Sequence, residues 1–519
     1  MTVRKTASMI KGSMLVIAAT MLAACGDGSS GSGGATQVSV PNVVGDAQAA
    51  ATTAITGAKL TVGAVTQASS ATVAKGNVIS ETPAAGTSAA SGSAVALVVS
   101  SGPATTTYTI GGTLIGLAPG ATVHVLNGSD DAAVSANGSF TLPTGVASGG
   151  TYSVTVGTPT STQTCAVQDG SGTVASATVT NVAVYCTYNV NAATLKATFT
   201  DVGMLLNDVV NSVSYPFDIV GTDTFDGISA SSSTDTINFA GLITPGQLAT
   251  GTYAVTTANG IPSYTDNGSG LGGIEGANGD AVVEVVGMAS GTQPAIYMAV
   301  LPNATATTDS VNGNYAKVSL TAQPSTGDIT ASEGNITLTN GTITGTQTSN
   351  TAGTISTGNP VSGQFTVASG IVTLPGDGAG AVSADGDLVV VADTNSGDNP
   401  NISVLVSQGS GVTQATFEGV YSVAQYGGLS ITQSFGKAIT LFAFGDGTYN
   451  IVFTKNAQGT ITTNNTDSGS YTVAADGTLT LTDSEGNIYN GAISADGNAL
   501  VLGSITSTES PAIFVGVRQ

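Results

Sequence analysis

The chain contains very little histidine, and this limits the chemistry available to it. Its 519 residues include one histidine, His124, which lies in the alternating stretch 122–126 that is typical of a strand. A Ser-His-Asp triad is therefore not indicated, and the G-x-S-x-G, H-E-x-x-H and Walker sequences are absent as well. We expect a protein that is not an enzyme.

Basic charge is also scarce. Ten Lys and Arg residues stand against 32 Asp and Glu residues, which gives a formal net charge of −22 at pH 7. A surface of this sign repels phosphate groups, so neither nucleic acid nor anionic lipid headgroups are expected as partners.

Helix signals are almost missing, whereas glycine is abundant. The chain has 70 glycines, and Val, Ile, Leu and Tyr alternate with small polar residues along most of its length. Such alternation, interrupted by Gly and Asn or Asp turns, is typical of short strands. The length exceeds that of one ordinary domain. The sequence therefore predicts a mainly β, multi-domain protein.

The first 25 residues have the pattern of an export signal. Arg4, Lys5 and Lys11 precede the uncharged apolar run 14–21, which is too short to span a bilayer. Small residues then lead into Cys25 in the sequence Leu-Ala-Ala-Cys. This segment resembles the signal peptide and lipobox of bacterial lipoproteins.

The resemblance implies cleavage before Cys25 and acylation of that cysteine by palmitate-type chains, more than one of which is needed for stable anchoring. The membrane would then be a partner through Cys25, and the protein would reside in the cell envelope. Gly26 follows, in place of the Asp that often signals inner-membrane retention in this family, so the outer membrane is favoured in a cell with two. Residues 26–37 form a Gly/Ser linker.

Once Cys25 is assigned to the anchor, two cysteines remain, Cys165 and Cys186. An exported chain meets an oxidising compartment, so we expect a disulfide between them. In the chain-entropy account, closing a loop of this length contributes roughly 3 kcal/mol.

Residues 38–102 contain three motifs of a small module. These are VPNVVG at 40–45, GNVISETPAAG at 76–86 and GSAVALVVSSG at 92–102. They resemble a PASTA domain, with an α+β fold in which Asp46 would cap one helix. The resemblance implies contact with peptidoglycan fragments, although many such modules act as spacers, and both readings stay open.

Residues 104–187 alternate as short strands, with YTIGGTLIGL at 108–117, SANGSFTLP at 135–143 and YSVTV at 152–156. They resemble a small β-sandwich repeat of secreted bacterial surface proteins, which implies no activity. Asn137-Gly138 predicts a tight hairpin turn within this unit.

The remaining residues contain three internal repeats of about 106 residues. Similar closing segments begin at Pro294, Pro400 and Pro511, at spacings of 106 and 111. Upstream of each stands an Asn-Gly or Asp-Gly pair that predicts a hairpin with two residues at positive φ. Separate domains and one fused structure are both open. We refer to the repeats by number, with the bounds 188–302, 303–408 and 409–519.

Eight strands in about 100 residues suit a small up-and-down barrel or a two-sheet sandwich. Repeat 3 looks like the lipocalin-like repeats of secreted proteins, which implies a small apolar ligand in a barrel lumen. A cavity would favour ligand binding, and a packed interior would favour a structural role. The large residues expected to point inward in repeat 3 are Phe442, Tyr449, Phe453, Tyr471 and Tyr489.

Acidic clusters at 223–226, 266–270, 393–399 and 483–487 do not fit the D-x-[DN]-x-[DN]-G loop of a calcium site. Hairpin turns require the same residue types. We therefore expect no metal and no cofactor, and we assign no catalytic or ligand-binding residue.

The sequence thus predicts an acyl-anchored cell-envelope protein with a binding, display or structural role, for which peptidoglycan is a candidate partner. One alternative is a binder of small apolar ligands in lipocalin-like barrels. An extracellular carbohydrate-active enzyme ranks last.

Overall fold

The fold is described from a computed structural model. The described residues exclude positions 1–35, which include Cys25 and most of the Gly/Ser stretch 26–37. They form two compact units, one up to Thr105 and one from Thr106. Within this part of the chain, no helix is both long enough and apolar enough to cross a membrane. The structure describes residues 36–118, 120–157, 163–189, 195, 197–210, 213–239, 242–258, 261–266, 271–274, 280–288, 293–375, 378–392, 399–504, 506 and 510–519.

The first unit packs one helix on a three-stranded sheet. Ala51 and Ile55 are the buried residues of the helix, and they share a core with Val78, Val95 and Leu97 of the sheet. The elements are β1 Gln37–Ser39, α1 Gln48–Gly57, β2 Thr61–Ala68, β3 Val78–Thr82, β4 Ser88–Ala90 and β5 Ala94–Ser100. The sheet has the order β2-β5-β3, and β1 pairs with β4.

The expected helix cap was wrong. Ala47 occupies the N-cap position, and no side chain caps the helix there. The helix therefore begins one residue later than the pattern suggested, and its stability comes from the apolar packing of Ala51 and Ile55.

The second unit begins with a sandwich of two four-stranded sheets, ordered β10-β7-β15-β13 and β14-β12-β8-β9, and a short β6–β11 pair. Its strands are β6 Thr107–Tyr108, β7 Ile110–Ile115, β8 Val123–Asn127, β9 Asp130–Val134, β10 Gly138–Thr141, β11 Val146–Ala147, β12 Thr151–Val156, β13 Gln163–Gln168, β14 Ser171–Thr173 and β15 Val179–Tyr188.

Two expectations for the sandwich have different outcomes. The Cys165–Cys186 disulfide is present and joins directly opposed residues of β13 and β15, with Cys186 fully buried. The hairpin at Asn137-Gly138 was wrong, because β9 and β10 lie in different sheets. The side chain of Asn137 instead accepts a hydrogen bond from the N–H of Leu117 at 2.8 Å.

Repeat 1 is a closed barrel of eight antiparallel strands in sequence order. Its first strand closes the barrel by pairing with its last. The strands are β16 Thr198–Val210, β17 Val213–Phe225, β18 Ala230–Phe239, β19 Leu242–Ala258, β20 Ile261–Asp266, β21 Leu271–Ile274, β22 Ala281–Val286 and β23 Ala295–Val300.

Repeat 2 follows the same course but stays open. Its nine strands have the order β27-β26-β25-β24-β32-β31-β30-β29-β28, so the two ends of the sheet are consecutive in sequence and unpaired with each other. The strands are β24 Gly313–Gln323, β25 Asp328–Thr339, β26 Thr342–Thr351, β27 Thr354–Gln364, β28 Thr366–Ala368, β29 Ile371–Leu374, β30 Gly378–Val382, β31 Leu388–Ala392 and β32 Asn401–Ser407.

Repeat 3 is again a closed eight-stranded barrel. The prediction of a mainly β, multi-domain protein with an α+β module, a sandwich and three β-meander repeats is therefore confirmed. The strands are β33 Glu418–Gly428, β34 Ser434–Phe444, β35 Thr448–Ala457, β36 Thr460–Val473, β37 Thr478–Asp483, β38 Ile488–Ile493, β39 Ala499–Ser504 and β40 Ala512–Arg518.

The turns before the closing strands lie where the repeats placed them. Gly386 joins β30 to β31 with φ +87°, and Gly497 joins β38 to β39 with φ +80°. The expected turn type was wrong, because neither preceding aspartate has positive φ and only the glycine is left-handed. The corresponding pair of repeat 1, Asn278-Gly279, lies outside the described residues.

The outward faces of the three repeats form one shared core. Alternate residues of their strands point away from each lumen and meet, for example Val202, Met298, Val404 and Val515. Tyr426 of repeat 3 is fully buried, and its hydroxyl donates to the carbonyl of Pro294 and accepts from the N–H of Leu206, both in repeat 1. The three repeats therefore pack as one body.

The sandwich also packs on repeat 3. Tyr185 of β15 lies 5.4 Å, centroid to centroid, from Phe442 of β34. Phe442 thus points out of the barrel, and its expected inward orientation was wrong. The error follows from strand parity, since the lumen of repeat 3 is filled by its odd-numbered neighbours Ile439 and Leu441.

Candidate functional site

The interior of repeat 2 contains an apolar space that is larger than the one in repeat 3. Successive residues of a strand point alternately into and out of a barrel, so the odd residues of β24 and β32 line this lumen. The resulting cavity measures about 390 Å³. Its apolar wall consists of Val311, Ile336, Leu338, Ile343, Val361, Phe365, Val367, Val372, Leu374, Val382, Val389, Val391 and Leu405.

One end of the cavity is polar. Thr321 and Asn401 face each other across β24 and β32, and the amide of Asn401 donates to the Thr321 hydroxyl at 2.6 Å. The Ser403 hydroxyl donates to the Asn401 side-chain oxygen at 3.2 Å. Lys317 lies four residues before Thr321, on the same face of β24. The lumen is thus amphipathic, and most of its polar side chains lie on the neighbouring strands β24 and β32.

Lys317 is the charged residue of this lining. Its Nζ donates to the Ser319 hydroxyl and to the Gln347 side-chain oxygen, each at 3.1 Å. Burial lowers the pKa of Lys317 to about 8, so the ammonium form still predominates at neutral pH. Among the described residues, no carboxylate lies within 4 Å of its Nζ. The lysine therefore places a positive charge in the lumen. Both described hydrogen-bond partners of its ammonium group are neutral.

The unpaired boundary between β27 and β28, here called the seam of repeat 2, lies beside this cavity. Gly363 and Phe365, at the break between β27 and β28, both line it. A Cβ on Gly363 would have Ile343 as its nearest neighbour, at 3.5 Å. At the equivalent Gly469 of repeat 3, a Cβ would lie 2.1 Å from the carbonyl oxygen of Thr482 on β37. The seam is therefore closed in repeat 3 and leaves room in repeat 2.

Aromatic side chains fill the lumen of repeat 3. Phe417 contacts Tyr421 and Tyr471, with ring centroids 4.9 and 4.8 Å apart, and Tyr489 contacts Phe514 at 5.0 Å. The remaining space is about 80 Å³, which is room for only two or three water molecules at ~30 Å³ each. Repeat 3 therefore has a packed interior.

The lumen of repeat 1 is acidic. Asp201, Gly221 and Asp235 lie side by side on β16, β17 and β18. The hydroxyl of Tyr297 donates to Asp201 at 2.8 Å. Burial, with the nearby carboxylates of Asp223 and Asp235 as further causes, raises the pKa of Asp201 well above its usual value. This arrangement favours a protonated carboxyl group in the interior.

A second acidic group joins repeats 2 and 3. Carboxylate oxygens of Asp385, Asp387 and Asp496, from equivalent turns, lie within 4.8 Å of one another. Burial, and then the hydrogen bond to Asp496, raise the pKa of Asp387 to about 7. Three carboxylates can hold a cation, and the raised pKa of Asp387 indicates that a proton can relieve their repulsion instead. Sequence reasoning missed this cluster because its members are about 110 residues apart.

The other residues noted in the sequence have separate locations. Cys25 lies outside the described residues. His124 has a half-exposed side chain, and its Nδ1 lies 2.9 Å from an oxygen of Asp131. Asp226 and Asp483 accept backbone N–H groups of their own turns, which is the turn role expected for those clusters. Clusters 266–270 and 393–399 lie mostly outside the described residues.

Sequence reasoning also missed Lys317. The only local signal was a single lysine at an inward position of an alternating strand, Tyr315-Ala316-Lys317-Val318-Ser319. That pattern is equally compatible with a lysine on a solvated face, because periodicity shows which residues share a side but not which side is closed.

Comparison with known proteins identifies one segment of the chain. Residues 38–101 match the PASTA domain family. The extracellular region of the Ser/Thr kinase PrkC from Staphylococcus aureus is similar over 23% of this chain, at 23% identity with a TM-score of 0.13. The chain spans about half (48%) of that structure's length.

Transferrin binding protein B from Neisseria meningitidis is similar over 62% of this chain and 76% of its own, at 9% identity with a TM-score of 0.22. No curated protein matches the chain. The family match and the helix-on-sheet fold agree on the first unit: residues 38–101 are a PASTA domain, as the three motifs predicted.

Proposed function

We propose that this chain is an acyl-anchored, non-enzymatic binding protein of the cell envelope, and that repeat 2 takes a small apolar ligand in its lumen. The observation that carries the ligand-binding proposal is the cavity of about 390 Å³. Small-molecule sites usually measure roughly 300–1,000 Å³ and combine apolar walls with a few grouped polar residues. The lumen of repeat 2 has this composition, and its seam offers a route of entry.

The anchor is supported by the sequence. The lipobox at Cys25 and the Gly/Ser linker after it would hold the two compact units at a membrane surface. Gly26 after Cys25 favours the outer membrane in a cell with two membranes. Binding to a ligand, and not chemistry on it, is supported by the lining of the cavity, whose polar side chains are hydroxyls, amides and one lysine.

Ligand binding is tested by titrating the full chain with N-phenyl-1-naphthylamine, a neutral apolar dye that fluoresces in apolar sites. We expect one saturable site per chain. Ser403→Phe should weaken binding strongly because its ring takes up part of the lumen, whereas Ser403→Ala keeps the space and should bind like the native chain. An affinity that Ser403→Phe leaves unchanged would place the ligand elsewhere, and no binding by the native chain would refute the proposal.

The anchor is tested by cell fractionation. Cys25→Ser should move the protein from the membrane fraction to the soluble fraction, because the acylated thiol is lost. Cys165→Ser removes a different cysteine and should leave the protein in the membrane fraction. Retention of Cys25→Ser in membranes would contradict acyl anchoring.

A second candidate function is contact with peptidoglycan. It is favoured by the PASTA domain at residues 38–101. A pull-down with purified peptidoglycan should capture the full chain and should capture a chain lacking residues 38–102 much less. Equal capture of the two chains would leave the domain the role of a spacer.

A further inference from the structure

The polar end of the repeat-2 cavity carries a positive charge. Lys317 contributes an ammonium group to a lumen whose other polar side chains, such as Thr321, Asn401 and Ser403, are neutral. An ammonium group has three N–H donors. Two of them are used by Ser319 and Gln347, at 3.1 Å each. One donor and the whole positive charge are therefore available to a ligand oxygen.

A buried charge is costly unless it is paired or serves a ligand. The cost at Lys317 is not offset by a carboxylate among the described residues, since none lies within 4 Å. The fold of the strand does not require a lysine at position 317 either. At the equivalent position of repeat 3, fixed by strand register, stands Val423, which opposes Gly516 as Lys317 opposes Leu405. The scaffold folds with an apolar residue at this position.

We propose that the ligand of repeat 2 is an amphiphile with one carboxylate, whose oxygen binds Lys317 and whose apolar tail lies along the Ile336, Leu338 and Val372 wall. This inference rests on the ligand-binding function proposed above and adds the chemistry of the headgroup. The arrangement suits such a molecule at both ends: a positive charge beside neutral donors at one end, and aliphatic side chains at the other. A neutral apolar ligand would cover the ammonium group without offering it a negative charge.

The size of the cavity sets the length of the tail. At ~30 Å³ for each water-sized group, about 390 Å³ holds roughly a dozen or more such groups. Dodecanoate, with 14 non-hydrogen atoms, is a suitable probe. The alcohol 1-dodecanol has the same tail and no charge, so the two probes differ only at the headgroup.

The experiment compares the affinities of the full chain for dodecanoate and 1-dodecanol at neutral pH, by displacement of bound N-phenyl-1-naphthylamine. We expect dodecanoate to bind at least roughly tenfold more tightly, as is usual for a charge-assisted hydrogen bond in an apolar site. Lys317→Met should remove this preference by weakening dodecanoate binding, while 1-dodecanol still binds. Lys317→Arg keeps the charge and should retain the preference.

Lys437→Met is the matched control. Lys437 also lines a lumen, but it is the packed lumen of repeat 3, where its Nζ lies 5.0 Å from the centre of the Phe453 ring. This variant should keep the native preference. Equal binding of the two probes by the native chain, or a preference that survives Lys317→Met, would overturn the inference while cavity binding stands. Failure of both probes to bind would refute the cavity function as well.

Discussion

Repeats 2 and 3 have the same strand order and the same turns but opposite interiors. In repeat 3, the long strand β36 pairs with β35 through one part and with β37 through its last residues, which closes the barrel. In repeat 2, the corresponding stretch is interrupted at Phe365 into β27 and β28, and the described sheet stays open there. One interruption in one strand thus separates a closed barrel from an open one.

The filling of the two lumens differs at one equivalent position. Counting from the proline that leads each closing segment, Tyr297 of repeat 1 corresponds to Ser403 of repeat 2 and Phe514 of repeat 3. Phe514 packs on Tyr489, and Tyr297 binds Asp201, whereas Ser403 lines the cavity. An aromatic ring therefore occupies in two repeats the place that a hydroxyl leaves open in the third.

A second equivalent position sets the polarity of each lumen. Strand register aligns Asp201, Lys317 and Val423, which oppose Ala299, Leu405 and Gly516 in turn. The three barrels therefore carry an acid, a base and an aliphatic side chain at the same place. The outward-facing residues of all three repeats pack in a common core. The inward-facing residues line separate lumens, so they can differ between the repeats without disturbing that core.

The largest expected effect is the loss of the aromatic filler in repeat 3. Phe514→Ser gives repeat 3 the residue of repeat 2 and empties a site that is 8% exposed. We expect a loss of about 3–5 kcal/mol in the free energy of unfolding, the usual range for truncating a buried Phe. Urea denaturation followed by tyrosine fluorescence measures it.

The control is Ser403→Ala, which truncates the equivalent residue beside an existing cavity and should change the stability far less. A cost below about 1 kcal/mol for Phe514→Ser would mean that repeat 3 collapses around the missing ring, and that packing does not distinguish the two interiors.

The equivalent glycines of the two turns should respond unequally to a side chain. Both have φ near +80°, where a β-branched residue is strained by roughly 1–3 kcal/mol. At Gly497 a Cβ would also lie 2.4 Å from the carbonyl oxygen of Thr416, whereas at Gly386 nothing lies within 4 Å. Gly497→Val should therefore destabilise the protein more than Gly386→Val, as chemical denaturation would show.

The same measurement tests the shared core. Because the three repeats pack through common apolar residues, Gly497→Val should shift one cooperative transition of all three. A separate early transition confined to repeat 3 would contradict this and indicate that the repeats unfold as independent domains.

Local patterns predicted much of this fold. Alternation and turn residues were enough for the strands, the three copies and the disulfide, because these depend on neighbours along one chain segment. Errors appeared where distant parts of the chain decide the orientation of a side chain or the course of the backbone. Phe442 was expected inside its barrel, yet the sandwich offers Tyr185 on the outside. Asn137-Gly138 reads as a hairpin, yet the chain changes sheets there.

The candidate site was harder to predict. The cavity exists because repeat 2 lacks an aromatic ring at Ser403 and a continuous strand at Phe365. No sequence motif signals that such a feature is missing. Aligning the three copies at their closing prolines could have found Ser403, since Tyr297 and Phe514 stand at the same offset. The carboxylates of Asp387 and Asp496 meet only because repeats 2 and 3 pack together, which no single repeat encodes.

The smallest expected effect concerns the two turns themselves. Asp387 in repeat 2 corresponds to Asn498 in repeat 3, the last residue of each Ser-Ala-Asp-Gly-Asp or Ser-Ala-Asp-Gly-Asn turn. Burial and the hydrogen bond to Asp496 raise the pKa of Asp387 to about 7 in the folded state, from 3.8. Between these values the folded chain holds a proton that the unfolded chain has lost, so this contribution to stability is complete below about pH 4 and is lost as the pH rises through 7.

Asp387→Asn cannot titrate and should flatten the fall in stability between pH 5 and pH 8, and Asn498→Asp should steepen it. Urea denaturation at the two pH values measures both, and an unchanged difference in Asp387→Asn would show that the two aspartates do not share a proton across the interface between the repeats.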